Sequence, residues 1–202
     1  MKNIFILVVI SFITHNISAQ IIVDLDDDSK KSFAPGYYYK DFNNYFDPYI
    51  GTWKYVNEQT EMTVTLKKII KNDEGKYYSD ILVGDMRYVK NGIVQFDNLS
   101  RITGGPQTNP KVHDLYGTYF LKPNHFPKCP ECPANERRIN MIFYGSDNND
   151  QGGGIVLQRI TTSGQPDTIK LTIKYLMEID IEGEPAPLPP KIEGLEFVLT
   201  KQ

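Results

Sequence analysis

From Gly51 onward, apolar residues recur at every second position. In "GTWKYV" Gly51, Trp53 and Tyr55 share one face and Thr52, Lys54 and Val56 the other. Met62, Val64 and Leu66 alternate with Glu61, Thr63, Thr65 and Lys67. The clearest alternation is "DTIKLTIKYLME", where Ile169, Leu171, Ile173 and Tyr175 oppose Thr168, Lys170, Thr172 and Lys174. A period of two is the mark of a half-buried strand. The stretches "KYYSDILVG", "MRYVKNGIVQF", "HDLYGTYFL", "RINMIFYG", "GGIVLQRITT" and "GLEFVLTKQ" read the same way, giving about nine strands at the spacing of a sandwich or barrel. Asn91-Gly92 between two apolar runs is a strong hairpin signal.

Turn-forming residues separate these runs: "KNDEGK", the Gly/Pro-rich Thr103 to Pro110, the long loop Pro123 to Glu136, "SDNNDQG", and Glu184 to Pro190, whose prolines bar it from a central sheet. No interior segment has the length and period of a crossover helix. Consecutive antiparallel hairpins are then the simplest connection. Closing that meander removes its two exposed edges. The expected fold is all-β, an antiparallel up-and-down meander closed as a barrel.

The N-terminal residues follow other rules. Lys2, the apolar run Ile4 to Ile13, and small Ser18 and Ala19 have the order of a secretory signal peptide cut after Ala19. The run is shorter than the roughly 20 residues of a membrane span. Residues 20–36 carry "DLDDDSKK" and are expected to be a flexible, solvated acidic arm. Asp24, Asp26 and Asp28 alternate there, without the Gly turn or distal Glu of a calcium loop. Tyr38, Phe42, Tyr45 and Phe46 lie at helical spacing and predict a short helical turn that Asp47-Pro48 stops. The organisation is therefore a signal peptide over 1–19, an arm over 20–36 and a single barrel domain over 37–202, with export to the periplasm or the cell exterior.

Composition narrows the function classes. Of 22 Lys and Arg and 25 Asp and Glu, only Lys2 lies in the first 19 residues, so the remainder carries a net charge of −4. Lysines are scattered and form no basic stripe for nucleic acid. No later segment is long and apolar enough to span a membrane as a helix. Thirteen tyrosines, with β-branched residues in short runs, agree with a β-protein.

The helical turn, the Gly51-x-Trp53 stretch in the first clear strand and the meander after it together resemble the lipocalin and fatty-acid-binding group of barrels. In that group the Trp plugs the closed end beneath the N-terminal turn, and a basic residue on a late strand lies over it. The resemblance gives these roles to Gly51, Trp53 and Lys201. The Thr-Asp-Tyr turn of lipocalins is absent. The chain also resembles a family of small exported proteins of Gram-negative bacteria with no assigned function, through the segment ending in Ala-Gln, "KDFNNYFDPYIGTWK" and "EFVLTKQ".

Candidate chemistry is sparse. Cys129 and Cys132 form "CPEC", and in an exported chain a disulfide is the default. The alternative is zinc on His125, Cys129 and Cys132, which lacks a fourth ligand unless His113, Glu131 or Glu136 supplies one. Asp147 to Gly152 approximates the start of a calcium loop whose twelfth position is Gln158; a polar hairpin loop explains it better. His113-Asp114 could act as a general-base pair, but a surface His beside an Asp is more often solvated. No convergent polar set points to an enzyme, and no cofactor is expected.

Two readings stand. A barrel of about eight strands can hold one small hydrophobic ligand, lined by Val64, Leu66, Ile169, Leu171, Ile173 and Tyr175. Alternatively the barrel is packed, and the Pro/Cys loop and exposed tyrosines at Tyr37, Tyr38 and Tyr39 contact a partner.

Overall fold

The computed structural model describes residues 20–30, 33–103, 112–144, 151–178 and 195–202. The expected signal peptide, the loop over 104–111, the calcium-like stretch from Asp147 through Asp150 and the proline-rich Glu184 to Pro190 lie outside these residues. Among the described residues no helix is long and apolar enough to cross a membrane.

The alternating segments are strands of one sheet. They are β1 (Ile21–Asp24), β2 (Tyr37–Lys40), β3 (Gly51–Val56), β4 (Thr60–Asp73), β5 (Tyr78–Lys90), β6 (Ile93–Asp97), β7 (Leu115–Leu121), β8 (Arg138–Tyr144), β9 (Gln151–Ile160), β10 (Thr168–Glu178) and β11 (Glu196–Lys201). A five-residue helix, α1 (Leu99–Thr103), and 3-10 turns at Asp28–Lys30 and Asp47–Tyr49 complete the elements.

Eight strands close a ring in chain order: β3, β4, β5, β7, β8, β9, β10 and β11, each antiparallel to the next. The ring shuts where Lys201 of β11 pairs with Trp53 of β3. This is the antiparallel up-and-down barrel that the alternation implied, and closure removes the two outer edges an open meander would leave. The hairpin between β5 and β6 turns through Asn91 (φ 53°) and Gly92 (φ 75°), the pair of positive φ values that Asn-Gly favours.

The core follows the period of two. Trp53, Val64, Leu66, Leu82, Leu115, Phe120, Ile139, Met141, Leu157, Ile169, Leu171 and Leu199 are at most 2% exposed and belong to one cluster. A second, small cluster lies on the outer face of β5, where Ile81 and Val83 meet Ile102 of α1.

Two expectations for the N-terminal region are corrected. The acidic segment is not a solvated arm throughout: β1 runs parallel to β2, and Val23 and Leu25 are buried. Arg137 grips the Asp26 carboxylate at 2.8 and 2.9 Å, and Lys122 pairs with Asp28 at 2.8 Å. The helical spacing of Tyr38, Phe42, Tyr45 and Phe46 does not form one helix either. Tyr38 lies in β2, which pairs in parallel with the start of β5, and Phe42 is 52% exposed. The lower edge of β5, below its pairing with β7, is open to another strand, and a run of three tyrosines has strand preference. Only Asp47–Tyr49 is helical, with Pro48 in its first turn, where a fixed φ and a missing N–H do no harm.

Buried carboxylates hold this region. Asp80 accepts hydrogen bonds from the Tyr38 hydroxyl (2.6 Å) and the N–H groups of Asp41 (3.0 Å) and Lys71 (2.9 Å). Asp41 accepts from the N–H groups of Tyr45 and Phe46 and from Lys68 Nζ at 3.0 Å. Burial disfavours the charge on Lys68, but its bonds to Asp47 and Asp41 outweigh that and raise its pKa.

Candidate functional site

The meander gives the barrel two unlike ends. At the start of β3 the interior is plugged. Trp53 is fully buried and its Nε1 donates to the Tyr49 carbonyl at 2.8 Å, which ties the indole to the 3-10 turn. Phe46 and Phe120 belong to the same core cluster, their rings tilted at 45° with centroids 4.7 Å apart. Lys201 Nζ sits 5.2 Å from the centroid of the Trp53 ring. A Cβ on Gly51 would lie 3.2 Å from Lys201 Cε, so the glycine makes room for the lysine stem.

Toward the other end, where β3, β5, β8 and β10 finish, the inward faces stay apolar but become exposed. Val64, Leu66, Ile169 and Leu171 are at most 2% exposed, deep in the packed part. Ile173 is half-buried, as are Tyr55, Tyr88, Phe143 and Phe197, and all five pack on the core. Tyr55 and Phe197 meet edge to face at 5.3 Å. Tyr175 of β10 pairs with Gly154 of β9, and its side chain lies outside those described. Four of the named lining positions are thus interior core, and Ile173 alone among them is shown at the rim.

The Pro/Cys loop folds against the outside of β8 and β9. Cys129 and Cys132 are joined by a disulfide. Gln158 Nε2 lies 3.2 Å from the Cys132 sulfur. Arg138, buried on the outer face of β8, donates from its guanidinium to the carbonyls of Pro127 (2.7 Å) and Lys122 (3.0 Å). Burial lowers the Arg138 pKa from its ordinary value. The sulfurs, bonded to each other, offer no thiolate for zinc. His125 is turned instead toward Asp28, its Nε2 3.7 Å from that carboxylate, while its Nδ1 takes a long bond from the Lys122 N–H at 3.4 Å.

His113 is not solvated. It is 3% exposed, and its Nδ1 lies 2.8 Å from the Asp85 carboxylate, itself fully buried. Asp85 also accepts from the Asp114 N–H at 3.0 Å. Asp114 turns away from the imidazole and accepts from the Met86 N–H (2.9 Å) and Asn98 (2.8 Å). This cluster sits outside the barrel between β5 and the start of β7. Its bonds join the two strands where β6 and α1 interrupt the meander.

With this geometry the chain can be placed among known proteins. A family model described as a family of unknown function, DUF6705, matches residues 1–202. The chain belongs to that family. No curated protein and no solved structure matches it.

Several residues that shape the DUF6705 barrel were not singled out from the sequence. Phe143 and Phe197 continue the same alternation as Met141 and Leu199, so period two was the available signal. Asp85, Asp80 and Asp41 carried none: an isolated acidic residue reads as solvated until a distant segment covers it.

Proposed function

We propose that this DUF6705 protein is an exported, lipocalin-like carrier. Its barrel takes a small hydrophobic ligand through the end opposite Trp53 and does no chemistry on it. The observation that carries this is the change in exposure along one continuous apolar face. Trp53, Leu66 and Ile169 are fully or almost fully buried, whereas Tyr55, Tyr88, Phe143, Ile173 and Phe197 are half-exposed at the other end. An apolar layer held partly in water by a closed barrel gains about 25 cal/mol per Å² when a ligand covers it. The Gly51, Trp53 and Lys201 arrangement and the strand order support the lipocalin-like reading. The Cys129–Cys132 disulfide supports export, since such bonds persist in oxidising compartments.

The test is native mass spectrometry of the protein isolated from a Gram-negative host, followed by titration with decanoate and palmitate. A bound mass lost on denaturation, or saturable 1:1 binding weakened at least tenfold in Ile173→Asp and Phe197→Asp, is expected. Fatty acid binding that neither variant alters, or none at all together with a bare native mass, overturns the reading.

A second reading has its own observation. Phe126, on the stapled Pro/Cys loop, is 80% exposed, and a large aromatic held out on a braced loop suits a protein contact. The tyrosine segment does not share this role, because Tyr38 and Tyr39 are buried. Loss of a co-purifying partner on Phe126→Ala, with fatty acid binding absent, would favour this reading.

A further inference from the structure

The Cys129–Cys132 bond joins residues only three apart, so it restrains the unfolded chain little. The loop around it has other supports. Arg138 holds the carbonyls of Pro127 and Lys122. The Cys129 N–H donates to the Pro123 carbonyl at 2.9 Å, and the Cys132 N–H to the Cys129 carbonyl at 3.1 Å. None of these bonds passes through the sulfurs. Opening the disulfide therefore leaves the two side chains together on a shaped loop, ready to close again.

The sulfurs differ in access and share a donor. Cys129 is 3% exposed, whereas Cys132 is half-buried between exposed Glu131 and Pro133. Gln158 of β9 directs its Nε2 to Cys132 Sγ at 3.2 Å and to Cys129 Sγ at 3.7 Å. A sulfur accepts weakly while it is bonded and more strongly as a thiolate, because charge strengthens a hydrogen bond. The amide thus stands where negative charge develops on whichever sulfur departs. The Glu131 carboxylate lies within 4.8 Å of both sulfurs, near enough to take the proton of an incoming thiol.

We infer that Cys129 and Cys132 form a dithiol–disulfide exchange centre, which oxidises a pair of thiols on another polypeptide through a mixed disulfide on Cys132. One client thiol gives its proton to Glu131, and its sulfur attacks Cys132 Sγ, the accessible sulfur. The Cys129–Cys132 bond breaks. Cys129 departs as a thiolate toward Gln158 and takes the proton back from Glu131. The second client thiol then attacks the client sulfur of the mixed disulfide. Cys132 departs as a thiolate, next to the Gln158 amide, and takes that thiol's proton. The client gains a disulfide and loses two electrons and two protons, and the two cysteines receive them. The centre lies outside the barrel and does not depend on the ligand proposed for its interior.

The test mixes the folded chain from Gln20 onward, in its disulfide form, with the reduced peptide acetyl-Cys-Gly-Gly-Cys-amide and follows both by mass spectrometry after acid quenching. The protein should oxidise the peptide at least about tenfold faster than oxidised glutathione does at equal concentration. The single variants locate the reacting sulfur. Cys129→Ala, which leaves Cys132, should capture oxidised glutathione as a mixed disulfide at least about tenfold faster than Cys132→Ala, which leaves the buried Cys129. Gln158→Leu should slow exchange by about threefold or more and raise the pH at which reduced Cys132 is alkylated by iodoacetamide; a bond that only staples the loop would show neither. A wild-type disulfide that exchanges no faster than oxidised glutathione, single variants that react equally, or a Gln158→Leu variant with unchanged rate and unchanged pH midpoint overturns the inference.

Discussion

Lys201 Nζ stands 5.2 Å from the centroid of the Trp53 ring, on the strand pair that closes the barrel, and Gly51 makes room for its stem. Gly51 also has φ 127°, a region that side chains rarely adopt. Gly51→Ala is therefore expected to destabilise the fold by about 1–3 kcal/mol, from strain and from the crowding of Lys201 Cε. Lys201→Met keeps the stem and loses the cation, for a smaller loss of about 0.5–1 kcal/mol. Urea unfolding followed by emission of the chain's one tryptophan measures both. A neutral Gly51→Ala would show that the β3–β11 seam does not hold this geometry in solution.

Gly117 lies inside the barrel on β7 with no room for a side chain. A Cβ there would stand 2.8 Å from Met141 Cγ and 3.0 Å from the Asn140 carbonyl oxygen, and the backbone oxygen cannot turn aside. Gly117→Ala is expected to lower stability by about 1–3 kcal/mol by overpacking alone, or about 2–4 °C in Tm for each kcal/mol at this chain length. Calorimetry of the variant checks it; an unchanged Tm would mean that β7 and β8 can separate without loss.

Asp114 makes stability depend on pH. Burial pushes its carboxyl above the ordinary 3.8, and the nearby Asp85 charge adds to the rise, while bonds from the Met86 N–H and Asn98 and the Arg101 charge oppose it. A raised carboxyl binds its proton more tightly in the folded than in the unfolded chain. The stability linked to it is thus fully present below about pH 3.8 and lost as pH rises through the raised value. Asp114→Asn cannot ionise. Between about pH 3 and pH 7 the difference in unfolding free energy should shift in favour of the variant. A difference that stays flat, or runs the other way, contradicts the assignment.

Arg138 and the disulfide brace the same loop by different means. The disulfide closes a very short ring, so removing it through Cys129→Ala and Cys132→Ala should cost no more than about 2 kcal/mol. Arg138→Met frees the carbonyls of Pro127 and Lys122 that the guanidinium now binds. Hydrogen exchange should rise across residues 122–133 more in Arg138→Met than in the double cysteine variant. Exchange at the wild-type level in Arg138→Met, with a rise only in the double cysteine variant, would place the loop's order in the disulfide alone.

The barrel strands were legible because each buries one face against one interior. That condition writes a period of two directly into "EMTVTLKKI" and "DTIKLTIKYLME". The hairpin at Asn91-Gly92 was legible for a local reason, since few residue pairs accept two positive φ values. The N-terminal region misled because its burial is set by distant partners. Tyr38 has a helical neighbour pattern, yet its hydroxyl bonds Asp80, and Asp26 reads as solvated until Arg137 closes on it. His113 and Asp114 misled in the same way, since Asp85 lies 28 residues from His113 in the chain.

What the sequence by itself determined is the kind of fold: alternating strands, short polar turns and no crossover helix leave an antiparallel meander as the consistent solution, because side-chain alternation is a property of each strand alone. What only the tertiary structure decided is where polar groups become buried. The Asp85–His113 contact, the grip of Arg138 on the loop, and the packed and half-exposed ends of the barrel all arise between segments separated in the chain. Desolvation and hydrogen bonding depend on what covers a residue, and nothing in its immediate neighbours records that.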